Sequence, residues 1–200
     1  MVIQSSSKDV IKVAFLVHPG FMQPNACLVR NYDPKTIFRR YKEKAESLGS
    51  NDVLVVALQR STKELSGMYL SGSSNTHPLP DLIHFIKELR VMMGRRVVFI
   101  SNDQRIMGTQ TELGCDYSAV ERTSKIIKQI LASRGYNMTP ETIVEVFGEL
   151  LELCVATTAA ALHTVGFSGG EPILDRKNST SMAEFIVLDS HYLSDSHVSL

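Results

Sequence analysis

Three short runs of apolar, largely β-branched residues alternate with stretches patterned for amphipathic helices, and this alternation restricts the possible folds most. Val10-Ile-Lys-Val-Ala-Phe-Leu-Val17, Asp52-Val-Leu-Val-Val-Ala-Leu58 and Arg96-Val-Val-Phe-Ile-Ser101 show little polar alternation. Strands that read this way are covered on both faces, as in parallel sheets. Between the first two, Asp33-Pro34 offers an N-cap and a proline at the first helical position. Ile37, Phe38, Tyr41, Ala45 and Leu48 then fall on one face before Gly49 closes the helix. Pro80-Asp81 opens a second helix with Leu82, Phe85, Ile86, Leu89 and Met93 on one side, ending near Gly94. Past the third run, Val120, Thr123, Ile127, Ile130 and Leu131 repeat at helical spacing up to Gly135, with Asp116 or Ser118 as the cap.

The pattern predicts an α/β fold: a single-domain, doubly wound, mostly parallel sheet with helices on both faces, a Rossmann-like three-layer sandwich. One domain over 1–200 suits a 200-residue chain, with Ala183–Leu188 as a further strand and 191–200 as a polar tail. Residues 61–79, rich in serine and glycine, read as a long flexible loop, either a lid or a tolerated insertion.

Composition removes several function classes. Lys plus Arg equals Asp plus Glu at 21 each, so no net charge draws the chain toward nucleic acid or anionic lipid. Arg39, Arg40, Lys42 and Lys44 alternate with Glu43 and Glu46, as on a solvated helix face, and no aromatics interleave with them. Cys27, Cys115 and Cys154 form no CxxC pair, which argues against a disulfide framework or structural zinc and for a reducing compartment. Met1–Val10 lacks the character of a signal peptide, and no apolar run approaches the roughly 18 residues of a membrane span. A cytoplasmic protein is expected.

Residues 139–165 admit two readings. As a helix, Thr139 caps, Pro140 takes the first position, and Ile143, Phe147, Leu150, Leu151, Cys154 and Leu162 make a stripe. Such a helix would run about 26 residues, roughly 39 Å, with Gly148 costing about 1 kcal/mol in its middle. As a strand, Thr142–Phe147 is β-branched and apolar and stops at Gly148, so that Cys154 enters a helix at the strand's carboxyl end. Open α/β sheets place their chemistry at that end.

Under the strand reading, Gly148-Glu-Leu-Leu-Glu-Leu-Cys154-Val-Ala-Thr-Thr-Ala resembles the nucleophile segment of isochorismatase-like cysteine hydrolases, which runs strand, glycine, five residues, Cys-Val and a Thr/Ala-rich helix. Tyr117-Ser-Ala-Val120 is similar to the family's Tyr-Ser-Ala-Phe helix start, and Ala14–Val17 to its first strand. The resemblance implies hydrolysis of a small amide, ester or vinyl ether with Cys154 as nucleophile. The family's aspartate after the first strand is here His18 or Pro19, and its lysine falls at Leu113–Asp116. Asp103, at the end of the third strand, is a candidate replacement acid, and Arg105 or Arg122 a replacement for the lysine.

A parallel sheet would also bring His18, Arg60, Ser61, Asp103, Glu149 and Asp189 along one edge as a pocket. His18 is a candidate base toward Cys154. A nucleophilic Cys154 should be alkylated faster near neutral pH than Cys27 or Cys115. His18, Asp103, Asp189 and His191 match no metal-site spacing, and no cofactor is identified. Gly166-Phe-Ser-Gly-Gly170-Glu171 lacks the context of a dinucleotide or Walker loop and reads as a turn. Two function classes follow: a divergent cysteine hydrolase, or a catalytically inactive α/β domain that binds a small ligand or protein partner. Nucleic acid and membrane are not expected partners, and self-association is open to the chain.

Overall fold

A computed structural model describes residues 8–20, 33–58, 79–100, 110–111, 114–115 and 117–181. Its elements run in the order β1 (Lys8–Asp9), β2 (Lys12–Val17), α1 (Pro34–Glu46), β3 (Val53–Ala57), α2 (Leu79–Met93), β4 (Val97–Ile100), β5 (Gln110–Thr111), β6 (Gly114–Cys115), α3 (Tyr117–Ser133), β7 (Tyr136–Asn137), β8 (Ile143–Gly148), α4 (Ala156–Thr164) and β9 (Ile173–Leu174). Of the loop expected at 61–79, Leu79 instead begins α2 and 61–78 lie outside the described residues, as do the strand at Ala183–Leu188 and the tail at 191–200.

Five strands form one parallel sheet in the order β4-β3-β2-β8-β9, so the α/β expectation holds. Within this sheet the chain enters at the centre as β2, steps outward through β3 to β4, then returns beside β2 as β8. Beta-branched residues alternate their side chains across the sheet, and each set has its own helical cover. On one face Ala14, Leu16, Leu54 and Val56 pack with Ile37, Phe38 and Tyr41 of α1 and Phe85 and Leu89 of α2. On the other, Val13, Phe15, Val17, Val53 and Val55 pack with Ile127 and Leu131 of α3 and Leu162 of α4. Fully burying a side chain of this size contributes about 2 kcal/mol, so the two apolar stripes account for why the helices dock where they do.

The apolar positions predicted for α1 and α2 are all buried. The cap of α1 is also as expected, with the Asp33 carboxylate accepting the Lys35 N–H at 3.1 Å. The sequence reading missed β9, a two-residue strand next to Pro172, because so short an apolar pair carries no periodicity.

Residues 143–148 are a strand, which decides between the two readings of 139–165. The Thr139-Pro140-Glu141 signature does not start a helix. The Thr142 N–H donates to the Thr139 carbonyl at 3.1 Å, and the Thr142 hydroxyl donates to the Val10 carbonyl at 2.9 Å. Thr142 is buried, so the turn is tied to the start of β2 and delivers the chain into the sheet.

Candidate functional site

The site is built where β2 and β8 end together. Val17 pairs with Gly148 in register, so His18 and Glu149 are the next residues on adjacent strands at the sheet's carboxyl edge. Gly148 has φ 131°, in the region that favours glycine, and a Cβ there would fall onto the Val17 backbone, 2.7 Å from its nitrogen. The Gly148 carbonyl accepts the Thr180 N–H at 2.9 Å, and the Glu149 N–H donates to the Val17 carbonyl at 3.0 Å. These bonds hold the strand end on both sides, and the Glu149–Leu150 peptide that follows is cis.

Glu149 has no exposed surface, and its carboxylate accepts the Gly20 N–H at 2.8 Å. Leu151–Val155 forms a single wide π turn, closed by the Val155 N–H on the Leu150 carbonyl at 3.0 Å. Turns of this kind recur at functional sites. Cys154 sits in that turn, 9% exposed, directly before α4. Burial pushes the Cys154 thiol above the ordinary thiol range and the Glu149 carboxylate adds to the push, against partial opposition from backbone hydrogen bonds at Leu150 and Cys154. The resting group is therefore a thiol, not a thiolate.

His18 is 6% exposed and adopts a left-handed backbone at φ 47°. Its N–H donates to the Ala57 carbonyl of β3 at 2.8 Å. Desolvation lowers its pKa to about 4, so the imidazole is neutral at pH 7 and a poor resting proton acceptor.

Of the residues expected along this edge, the structure places His18 and Glu149 at adjoining strand ends, with Cys154 in the turn that follows Glu149. Asp103, Arg60, Ser61, Arg105, Asp189 and His191 lie outside the described residues. Arg122 is exposed on α3, and its guanidinium reaches the Ser118 hydroxyl at 3.5 Å. Among the described residues no three His, Cys, Asp or Glu side chains gather in a group that could hold a metal. The glycine run at 166–170 is structural: the Gly169 N–H donates to the Pro140 carbonyl at 3.1 Å, and Phe167 meets Phe15 edge to face at 5.2 Å.

The site residue underweighted by sequence reasoning is Glu149. A glutamate after a strand reads as solvated, and only its complete burial, with its charge felt at Cys154, makes it a candidate group of the site. No helix among the described residues is long and apolar enough to cross a membrane. Comparisons with protein-family models, curated proteins and solved structures gave no match.

Proposed function

We propose that the protein is a cysteine hydrolase of a small amide, ester or vinyl-ether substrate, divergent from the isochorismatase-like hydrolases, with Cys154 as nucleophile. The observation that carries this reading is a buried thiol in the turn that follows β8, raised chiefly by desolvation and to a lesser degree by the charge of the fully buried Glu149 carboxylate. A thiol held above its ordinary range reacts only if a base takes its proton as the bond forms, and Glu149 is the described group that can do so.

For an acyl substrate the Cys154 sulfur attacks the carbonyl carbon while its proton passes to Glu149. Collapse of the tetrahedral adduct breaks the bond to the amine or alcohol, which leaves with that proton, and forms a thioester. Water, giving a proton to Glu149, then attacks the thioester carbon. The acid product departs and the proton returns to the sulfur. His18, neutral and buried beside Glu149 in the sheet, serves as a wall and hydrogen-bonding group of the site.

The test is p-nitrophenyl acetate hydrolysis, with acylation followed by intact-protein mass spectrometry. The expected result is an acetyl group on Cys154, no turnover in Cys154→Ser, and a loss of at least about 100-fold in Glu149→Gln. Turnover that survives Cys154→Ser would overturn the reading.

A second reading, a catalytically inactive domain that binds a small ligand or protein partner, is favoured by the same raised thiol and by the absence of an aspartate at positions 18 and 19. Under it, Cys154→Ala changes packing stability alone.

A further inference from the structure

We propose that the open cavity beside β4 binds a small, multiply charged oxyanion of the phosphate-ester or polyphosphate class. The cavity has a volume of about 470 Å³ and is lined by Arg90, Gly94, Arg95, Val97, Phe99 and Arg134. That volume falls within the usual span of small-molecule sites, roughly 300–1,000 Å³. Three arginines line it, from the last turn of α2, the turn at Gly94–Arg96 and the residue just past α3. Among the described residues no carboxylate lines the cavity, and none of the three arginines makes an ion pair.

Two of the three are oriented in advance. Arg134 Nη1 donates to the Val97 carbonyl at 2.6 Å and to the Arg95 carbonyl at 3.1 Å. The Arg90 guanidinium carbon stands 5.0 Å from the centroid of the Phe99 ring. A simpler role is to guard an open sheet edge, since β4 is the outermost described strand on its side. That role explains Arg134, which covers a β4 carbonyl. Stacking on Phe99 accounts for the place of Arg90, but neither role accounts for Arg95, a third positive charge at the same cavity. Planar guanidinium forks match phosphate oxygens in pairs, and holding them in place beforehand reduces the ordering cost of binding. The cavity lies toward the amino end of β4, whereas Cys154 follows the carboxyl end of β8, so this site is independent of the proposed hydrolase chemistry.

The experiment is a titration of the full chain with inorganic pyrophosphate at constant ionic strength, followed by thermal unfolding and calorimetry. Saturable binding is expected. Apparent affinity should fall at least about tenfold in the Arg90→Gln, Arg95→Gln double variant, while unfolding in the absence of pyrophosphate shifts only by the small loss of the Arg90–Phe99 contact. Arg95→Gln alone, on an exposed turn, should weaken binding in the same direction. Cys154→Ala should leave the titration unaltered. Absence of saturable binding, equal binding by the arginine variants, or dependence on Cys154 would each overturn the proposal.

Discussion

At the scale of single residues, Gly148 and Cys154 decide most about this molecule. Gly148 is legible in the sequence as a break, but the reason for it is tertiary: β2 passes so close that its Val17 backbone occupies the space a Cβ would need. Gly148→Ala adds left-handed strain to that clash and is expected to lower unfolding stability by about 3 kcal/mol or more, measured by denaturant titration. For Cys154, burial changes the expectation drawn from sequence alone. Rapid alkylation near neutral pH suits a thiolate, and this thiol is raised by its surroundings. Iodoacetamide labelling of Cys154 should therefore be slow at pH 7 and climb only above the ordinary thiol range. Because the Glu149 charge contributes to the rise, Glu149→Gln should move that labelling profile to lower pH even as it removes turnover. Identical profiles in the two proteins would show that Glu149 does not act on Cys154.

At the scale of elements, the link between α1 and the far side of the sheet is ionic as well as apolar. Lys44, in the last turn of α1, lies 2.9 Å from Glu145 of β8 and 2.8 Å from Asp175, which follows β9. All three side chains are largely buried. Burial alone would lower the Lys44 pKa, but hydrogen bonds to Asp175 and Glu145 outweigh it and raise the group. Lys44→Met strands the buried Asp175 carboxylate, while Lys12 at 3.2 Å still serves Glu145. A loss of about 2 kcal/mol is expected, part of it recovered in the Lys44→Met, Asp175→Asn double variant, since the penalty comes from the orphaned charge. In sequence Lys44 belongs to a charge-alternating face and reads as solvated. Its partners stand roughly 100 and 130 positions away in the chain, beyond the reach of any local pattern.

At the scale of the whole molecule, pH stability follows from His18. Folding lowers its pKa from 6.5 to about 4, so the unfolded chain binds more protons between those values. Stability is full above pH 6.5 and falls as the pH drops toward 4, by about 3 kcal/mol in all. Asp175, held below the ordinary carboxylate range by Lys44 against the effect of burial, loses its contribution only at lower pH, so the two windows separate. His18→Asn, which tolerates the left-handed backbone, should flatten the slope between pH 6.5 and 4 in unfolding titrations. An unchanged slope would show that another group carries it. Chain-local chemistry alone determined β2, β3 and β4, the buried faces of α1 and α2 and the α/β class, because burial of periodic apolar residues acts over a few residues at a time. Tertiary structure alone decided that 143–148 is a strand, that Glu149 is fully buried and its charge felt at Cys154, and that Arg134 joins Arg90 and Arg95 at one cavity. Each of those depends on which segments the sheet order brings together, and local periodicity does not encode that order.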